Sequence, residues 1–273
     1  MIQLNVFGLK LHSFEVSELL NYLNHIRSHR KTTVLYGYSF GIIPLFKIYD
    51  DLYTTCNSFD VMVTDGAQFK WFCSLFGFPV KTMMSIPDLT NFVLEYANEN
   101  KLSVLLFGAK EHINEKAICN LSEKYERIRF HKGIHGYFKE NEQEAIVDKI
   151  NSANPDILLI GISTPIKERF AFQYKNELNT KIIIPCGGMI DVYSGLTRQT
   201  PKLLKKLGLA TPFRIIQEPK RLLWLNVWIF YETFFKLIPI AFYHRYILGK
   251  RNFNVMNLYL SKPNQSCAES SAL

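Results

Sequence analysis

The sequence predicts an α/β protein whose Rossmann-like parallel sheet is covered by helices on both faces. Short apolar runs rich in β-branched residues, such as TTVLYGY and DILLIG, recur along the chain, and amphipathic stretches with helical spacing separate them. Strands that alternate with helices form parallel sheets with two covered faces. The length of 273 residues and the hydrophobic content of 48% supply a sizeable core, which excludes intrinsic disorder for most of the chain.

The apolar runs predict the strands, and the amphipathic stretches predict the helices. Strands are expected at 32–38, 59–64, 102–108, 127–131, 156–161 and 181–186, and clear helical patterns cover 13–27, 86–100 and 139–153. An α/β domain over 1–200 is followed by a basic, aromatic, helical appendage over 201–251. The polar tail over 252–273 is expected to be disordered.

Composition places the excess charge in the appendage and the protein inside the cell. The formal net charge is +8, and the stretch from Lys202 to Arg251 holds ten basic residues against Glu218 and Glu232, so the remainder is neutral. Such a segment is expected to meet an anionic partner. Five cysteines without CxxC spacing indicate neither a disulfide framework nor a zinc site, and they fit a reducing cytosol. The N-terminus lacks the basic and apolar pattern of a secretion signal.

Three strand-to-helix junctions are candidates for chemistry, since ligands of open α/β sheets bind beyond the carboxyl ends of the strands. In VTDGAQ, Asp65 is either the N-cap of the next helix or a general base that takes a proton from a hydroxyl. In CGGMIDVYSG, Gly187 and Gly188 form either an ordinary tight turn or a close approach to phosphate, and Asp191 either holds a ribose hydroxyl or favours the helix start. The charges of GISTPIKER would by default lie on a solvated helix face.

The histidines of FHKGIHGYF could indicate a metal site, because His131 and His135 have the spacing of one helix face. Gly133 and Gly136 argue against a helix there, and no carboxylate or cysteine is placed to complete a ligand set. The chain also lacks an Asp-x-Asp triplet that could hold a divalent ion between diphosphate oxygens. We therefore expect neither a metal nor a cofactor, and any phosphate would be neutralised by Arg, Lys or helix dipoles.

The segment 224–248 is dense in aromatic residues, yet several charges interrupt it and Pro239 is expected to break its helix. A spanning helix needs about 20 mostly apolar residues, so no transmembrane span is expected. On a helix at about 100° per residue, polar side chains gather on one arc and leave a wide aromatic face. The polar residues are Asn226, Glu232, Thr233 and Lys236, and the flanking cations are Lys220, Arg221, Lys250 and Arg251.

This pattern describes a helix that lies in a membrane interface, with 220–251 on an anionic lipid surface. The alternative left open is a core helix or a helix between two subunits, which would make the protein a homo-oligomer. A nucleic-acid partner is not expected, because the basic residues are interleaved with bulky aliphatic residues.

Together with the basic appendage, the motifs resemble the WecG/TagA/CpsF family of bacterial glycosyltransferases, also known as glycosyltransferase family 26. The likeness runs from about Thr32 to Arg221. VTDG is similar to the family's PDG motif, FGAKEHINEKA to its FGA motif and HGYF to its GYF turn. GISTPIKERF is similar to its G-x-P-x-Q-E-x-W motif, and GGMIDVYSGLTRQTPKLLKKLGL with FRIIQEPKR to its C-terminal signature.

The resemblance implies an inverting hexosyltransferase that moves a sugar, N-acetylmannosamine or a related hexose, from a nucleoside diphosphate sugar, expected to be a UDP-sugar. The implied acceptor is a sugar on a polyprenyl diphosphate. The implied role is the synthesis of bacterial cell-surface polysaccharide at the cytoplasmic face of the inner membrane, with peripheral attachment.

The resemblance also implies roles for particular residues, carried over by position. Asp65 would be the catalytic base, and Arg214 and Arg221 would stabilise the leaving diphosphate, because a guanidinium pairs bidentately with phosphate oxygens. Asp88 is placed on the acceptor side. The residues placed at the nucleotide sugar are Ser39, Thr64, Gly66, Tyr137, Lys167, Glu168, Gly187, Gly188 and Asp191.

The chain departs from the family pattern near the expected donor pocket. Gly37-Tyr38-Ser39 stands where the family usually has T-x-N, Met83 stands where it has an Arg, and Lys167 replaces a Gln. These departures indicate a different donor sugar or, alternatively, a catalytically eroded nucleotide-sugar binding or scaffold protein. A soluble Rossmann-type oxidoreductase is disfavoured, because no GxGxxG follows a strand.

Overall fold

The computed structural model describes residues 1–28, 31–250 and 253–261. Its strands are β1 (Ile2–Val6), β2 (Leu9–Ser13), β3 (Thr33–Tyr38), β4 (Val61–Thr64), β5 (Ser103–Gly108), β6 (Arg129–Phe130), β7 (Ile157–Gly161) and β8 (Ile182–Ile184). Strands β3 to β8 form one six-stranded sheet in the order β4-β3-β8-β7-β5-β6. All of its pairs are parallel. The predicted strands and the parallel sheet are confirmed.

Helices cover both faces of this sheet, since every residue of β3, β4 and β5 is buried although successive side chains point to opposite faces. The α-helices are α1 (Val16–Ser28), α2 (Leu52–Ser58), α3 (Ala67–Leu75), α4 (Ile86–Asn100), α5 (Glu111–Lys124), α6 (Gln143–Ala153), α7 (Ile166–Tyr174), α8 (Met189–Tyr193), α9 (Lys202–Lys206), α10 (Ala210–Gln217), α11 (Pro219–Tyr231), α12 (Ile238–Phe242) and α13 (Val255–Leu260). Short 3-10 helices occupy Ile43–Lys47 and Glu140–Glu142, and π-helical turns occupy Glu232–Leu237 and Tyr243–Ile247.

An antiparallel hairpin of β1 and β2 precedes the sheet and was not among the predicted elements. Its turn places Phe7 and Gly8 at φ values of 56° and 104°, the left-handed region that suits a two-residue hairpin turn. The hairpin attaches beside β4 through side chains. His12 Nδ1 accepts the Met62 N–H at 3.1 Å, and burial is the main cause that lowers the pKa of His12 to about 4. The imidazole is therefore a neutral acceptor at ordinary pH.

The carboxyl ends of β5 and β7 approach each other too closely for any side chain between them. A Cβ built on Gly108 would lie 2.2 Å from the carbonyl oxygen of Gly161. The buried Asn114 of α5 donates to the carbonyls of Gly108 and Ile134 at 2.9 and 3.2 Å, and so fastens the GYF loop to the end of β5. This part of the FGA motif therefore shapes the carboxyl edge of the sheet.

The appendage ends in one continuous 29-residue helix, Pro219–Ile247, made of α11, α12 and the two π-helical turns. The helix runs through Pro239, so the expectation that this proline breaks it is wrong. The π-helical turn at Glu232–Leu237 ends just before the proline, and such a turn can accommodate a ring that would clash with the carbonyl four residues earlier.

By length and composition alone, the helix Pro219–Ile247 could cross a membrane. The mean hydropathy of its apolar stretch is 1.3, and 28% of that stretch is buried inside the protein. The expectation that its charges exclude a span is therefore too strict.

Helix α13, near the end of the described chain, contacts both the first hairpin and the long helix. Val255, Met256 and Tyr259 are buried, the Met256 N–H donates to the Phe7 carbonyl at 3.1 Å, and the Tyr259 hydroxyl donates to Glu232 at 3.2 Å. This helix lies within the tail that was expected to be disordered from 252 onward. The remainder of that tail, 262–273, and the predicted flanking cation Arg251 lie outside the described residues.

Candidate active site

Asp65 lies at the carboxyl end of β4, where its backbone N–H donates to the Tyr38 carbonyl at 2.9 Å. Its carboxylate accepts the backbone N–H of Ile86, the first residue of α4, at 3.1 Å. The following helix, α3, begins after Gly66 at φ 94° without a side-chain cap. Asp65 therefore does not cap the helix that follows it; it links β4 to the start of α4 and keeps its second oxygen for other partners.

The environment of this carboxyl places its titration close to neutral pH. Burial raises the pKa of Asp65 to about 6, against the lowering effects of the Ile86 N–H and the cations Arg214 and Lys205. The negative charge of Asp88 adds to the increase. A half-buried carboxylate with such a pKa can accept a proton from a hydroxyl and remain partly ionised at physiological pH.

Gly37 lies directly against this aspartate. A Cβ built on Gly37 would lie 3.1 Å from the Asp65 Cβ and 2.9 Å from Val63 Cγ2, so a larger residue would displace β4 or the carboxylate. Ser39 follows at the end of β3, half-buried, with its Oγ accepting the Gly41 N–H at 3.2 Å. The departure Gly37-Tyr38-Ser39 is thus adjacent to Asp65.

Arg214, Asp191 and the Gly187-Gly188 turn gather at the carboxyl end of β8. A Cβ built on Gly188 would lie 3.6 Å from Arg214 Nη2, and Gly187 has a φ of 58°. Burial, reinforced by Glu218, raises the pKa of Asp191, while Arg221 and Arg214 oppose that increase. The predicted arginines therefore lie close enough to the predicted nucleotide residues for their charges to affect the pKa of Asp191.

Arg221 is held within the appendage. Its Nε donates to Glu218 Oε2 at 2.6 Å, and its side chain is 60% exposed. Arg214 is exposed on α10. Both guanidinium groups thus remain accessible to an anionic ligand.

Lys167 and Glu168 form a buried pair rather than a solvated helix face. Their side chains join at 2.5 Å, with Glu168 fully buried and Lys167 only 8% exposed. The Tyr36 hydroxyl donates to Glu168 Oε1 at 2.6 Å, and Thr164 contributes a further hydrogen bond at 2.9 Å. Lys167 Cε lies 3.8 Å from where a Cβ of Gly187 would be. The pair therefore lies beneath the glycine turn and can hold it in place.

Sequence reasoning missed Tyr36 and Asn114, which connect these motifs. Tyr36 lies in the fully buried run TVLYGY, and Asn114 lies on the buried side of α5 with Ala117 and Leu121. A polar side chain at a position where the pattern calls for an apolar one is the signal that could have identified both residues. Their hydrogen bonds show that buried polar side chains support the candidate site from beneath the sheet edge.

The remaining predicted residues lie along the same edge of the sheet. Thr64 is fully buried, and Tyr137 is 67% exposed in the loop after Gly136. Asp88, near the start of α4, pairs with Lys205 of α9 at 2.7 Å and bonds with Ser85. The Lys205 contact attaches the appendage to the side of the site where Asp65 lies.

Among the residues that the structure describes, no group of three or more His, Cys, Asp or Glu side chains is arranged to hold a metal ion. His131 is half-buried, and its Nε2 has no hydrogen-bond partner in the described part of the chain; His135 is exposed. The absence of a metal ion therefore stays an expectation from sequence.

The profile of the glycosyl transferase WecG/TagA/CpsF family matches residues 4–238, and the chain belongs to this family. Three relatives carry the name N-acetylglucosaminyldiphosphoundecaprenol N-acetyl-beta-D-mannosaminyltransferase. The Bacillus spizizenii protein is 26% identical over 165 residues, 60% of this chain and 63% of the relative. The Staphylococcus aureus protein is 28% identical over 135 residues, 50% and 52% of the two chains. The Bacillus subtilis protein is 25% identical over 171 residues, 63% and 66%. Each matched segment spans less than two thirds of the relative's length.

Proposed function

We propose that this chain is an inverting glycosyltransferase that moves a hexose from a nucleoside diphosphate sugar to a sugar on a polyprenyl diphosphate. The observation that carries the proposal is Asp65, a half-buried carboxyl with a pKa of about 6 at the carboxyl end of a central parallel sheet. Family membership and the names of the relatives support the reaction class and the lipid-linked acceptor. The product would enter cell-surface polysaccharide.

In the proposed reaction, an acceptor hydroxyl attacks the anomeric carbon of the donor from the face opposite the leaving group. Asp65 takes the hydroxyl proton as the new glycosidic bond forms. The bond between the anomeric carbon and the diphosphate oxygen breaks, and the nucleoside diphosphate leaves with the electron pair. Arg214 and Arg221 stabilise the charge that develops on that oxygen.

The buried pair of Lys167 and Glu168 contributes indirectly to donor binding. Glu168 has no exposed surface, and the Lys167 ammonium already contacts Glu168 and Thr164. We assign these two side chains to holding the Gly187-Gly188 turn, whose backbone approaches the donor. Asp191, Ser39 and Tyr137 are the accessible candidates for direct contact.

We propose peripheral attachment to the cytoplasmic face of the membrane through the long helix. The polar arc of this helix is its buried side: Glu232 and Thr233 are buried with Ile229, Leu237 and Ala241. The aromatic side is exposed, with Trp224, Phe230 and Phe235 exposed by 78%, 54% and 65%. An ordinary surface helix shows the reverse pattern. The exposed aromatic side and the nearby cations suit an anionic lipid interface.

The proposed activity is tested by release of nucleoside diphosphate from a panel of UDP- and GDP-sugars, with N-acetylglucosamine on a polyprenyl diphosphate as acceptor. Acceptor-dependent release from one donor is expected, reduced by about 100-fold or more in Asp65→Asn. Asp148→Asn, which changes an exposed aspartate on α6, is the matched control and should keep wild-type turnover. Saturable nucleotide binding without release from any donor would replace the proposal with a nucleotide-sugar binding or scaffold protein.

A further inference from the structure

One face of α3 runs from the proposed catalytic base toward the aromatic surface of the appendage. Gln68, Trp71 and Leu75 have the spacing that places residues on one side of a helix. Trp71 and Leu75 are exposed by 54% and 56%, although they are large apolar side chains. This set of three residues is named the α3 face below. The face begins two residues after Gly66 and extends over about 12 Å of helix, at 1.5 Å per residue.

The two ends of the α3 face have different chemical character. At its start, Gln68 donates to the Gly208 carbonyl at 3.0 Å, which holds the segment containing Lys205 against α3. The Lys205 ammonium lies 2.7 Å from Asp88, and its positive charge lowers the pKa of Asp65. At its far end, the Leu75 carbonyl accepts from the hydroxyl of Tyr246 on the long helix. The ring of Tyr246 also lies 5.8 Å from that of Phe76.

Gly208 keeps the middle of the α3 face accessible. A Cβ built on it would lie 3.1 Å from Gln68 Cγ and 3.2 Å from the Trp71 ring, so the backbone passes close over the face without covering it. The neighbouring Leu207 and Leu209 are exposed by 53% and 43% and extend the apolar surface beside Trp71. The result is a shallow apolar path with a cation at the end near the base.

We propose that the α3 face binds the first isoprenoid units of the lipid-linked acceptor, with the diphosphate at Lys205 and the acceptor sugar at Asp65. This inference rests on the proposed function. Along the protein, the proposed base is followed by the Lys205 cation, then by the apolar α3 face, and then by the aromatic surface. Along a membrane-bound acceptor, the reacting hydroxyl is followed in the same order by the diphosphate, the isoprenoid chain and the membrane. A second copy of the chain would account for exposed apolar residues, but it would not account for a path that begins at the base and ends at the surface proposed to meet lipid.

The first test compares two acceptors that share N-acetylglucosamine diphosphate but carry a methyl group or an undecaprenyl chain in the same detergent. The double variant Trp71→Ser with Leu75→Ser should raise the ratio of the undecaprenyl KM to the methyl KM by about tenfold, which corresponds to about 1.4 kcal/mol. Phe172→Ser on α7, which removes an apolar side chain that is 52% exposed, should leave the ratio at the wild-type value. Because all three side chains are exposed, thermal unfolding should show that every variant folds.

A second test does not depend on turnover. Undecaprenyl diphosphate with a photoreactive diazirine in its first isoprenoid unit should label the tryptic peptide 71–81, which contains most of the α3 face. Labelling of this peptide in a protein that releases no nucleotide would overturn the proposed function and keep the lipid path. Turnover with an unchanged KM ratio and labelling elsewhere would overturn the path alone. A dimer that the double variant converts to a monomer, without labelling of this peptide, would assign the face to a second copy of the chain.

Discussion

At the scale of single residues, the proposed base Asp65 determines the expected pH dependence of turnover. Its pKa is raised to about 6, chiefly by burial, and a general base works only when it has lost its proton. We therefore expect kcat/KM to be constant above about pH 7 and to fall about tenfold per pH unit well below pH 6. Initial rates between pH 4.5 and 8.5 at low acceptor concentration measure this limb. An acid limb centred near pH 4 would show that burial does not perturb the base.

Lys205 should shift that limb without taking part in proton transfer. Its positive charge lowers the pKa of Asp65, so Lys205→Met should raise this pKa and move the acid limb upward by about half a pH unit. Lys206→Met is the control, because Lys206 is exposed next to Lys205 and forms no ion pair among the described salt bridges. Equal pH profiles for Lys205→Met and Lys206→Met would contradict the assigned coupling.

The sequence predicted the position of a residue, though not its role, where a motif coincided with the carboxyl end of a strand. Asp65, Asp191 and the glycine turn lie where the junction argument placed them, at the ends of β4 and β8. Lys167 and Glu168 could not be placed in the same way, because their burial depends on Tyr36, which lies more than a hundred residues earlier in the chain. Local patterns carry no information about such a distant partner.

At the scale of elements, Glu232 should control the attachment of the long helix. Its carboxylate contacts Lys47 at 2.8 Å and Lys236 at 2.5 Å, and its side chain is only 5% exposed. Glu232→Gln leaves a buried amide between two ammonium groups and should lower the free energy of unfolding by about 1–3 kcal/mol. Urea unfolding measures the loss, with the exposed Glu126→Gln as control.

Proteolysis then separates two explanations of a loss of stability in Glu232→Gln. If the helix detaches, cleavage within 219–247 should become faster while the sheet domain stays resistant. Equal unfolding free energies and equal cleavage rates in Glu232→Gln and wild type would show that this contact does not hold the helix.

Element-scale prediction failed at both ends of the chain for identifiable reasons. The alternation in IQLNVFGLKLHS is a readable hairpin signal, but the second of its two runs, LKLHS, has no β-branched residue and so lacks the composition typical of a strand. Helix α13 is short, and the sequence that follows it is polar. It is stabilised by contacts with Phe7 and Glu232, which lie far away in the sequence. Tertiary contacts of this kind override local propensity.

At the scale of the whole molecule, the segregation of charge predicts how binding to lipid depends on salt. We expect binding to vesicles that contain phosphatidylglycerol, and we expect it to weaken with ionic strength, because each basic residue at such a surface contributes about 1 kcal/mol. Trp224→Ser combined with Phe235→Ser should reduce vesicle binding by about tenfold or more, whereas Phe172→Ser should not. Cosedimentation at two salt concentrations measures both effects.

Two results would contradict this picture of membrane attachment. Binding that is insensitive to salt and resists extraction at high pH would favour a crossing helix, which the length of Pro219–Ile247 permits. Equal turnover of the same acceptor in vesicles and in detergent solution would show that attachment of the helix to a membrane is not needed to reach the substrate.

The contacts that α13 makes with the first hairpin and with the long helix also matter for the preparation of this protein. Shortening the chain before Val255 is an obvious way to remove a polar tail and improve expression. It would also remove the hydrogen bonds that join the first hairpin and the long helix. Poor activity of such a shortened chain would then report a loosened helix, and it should be compared with a chain that ends after Ser261 before any role is assigned to the tail.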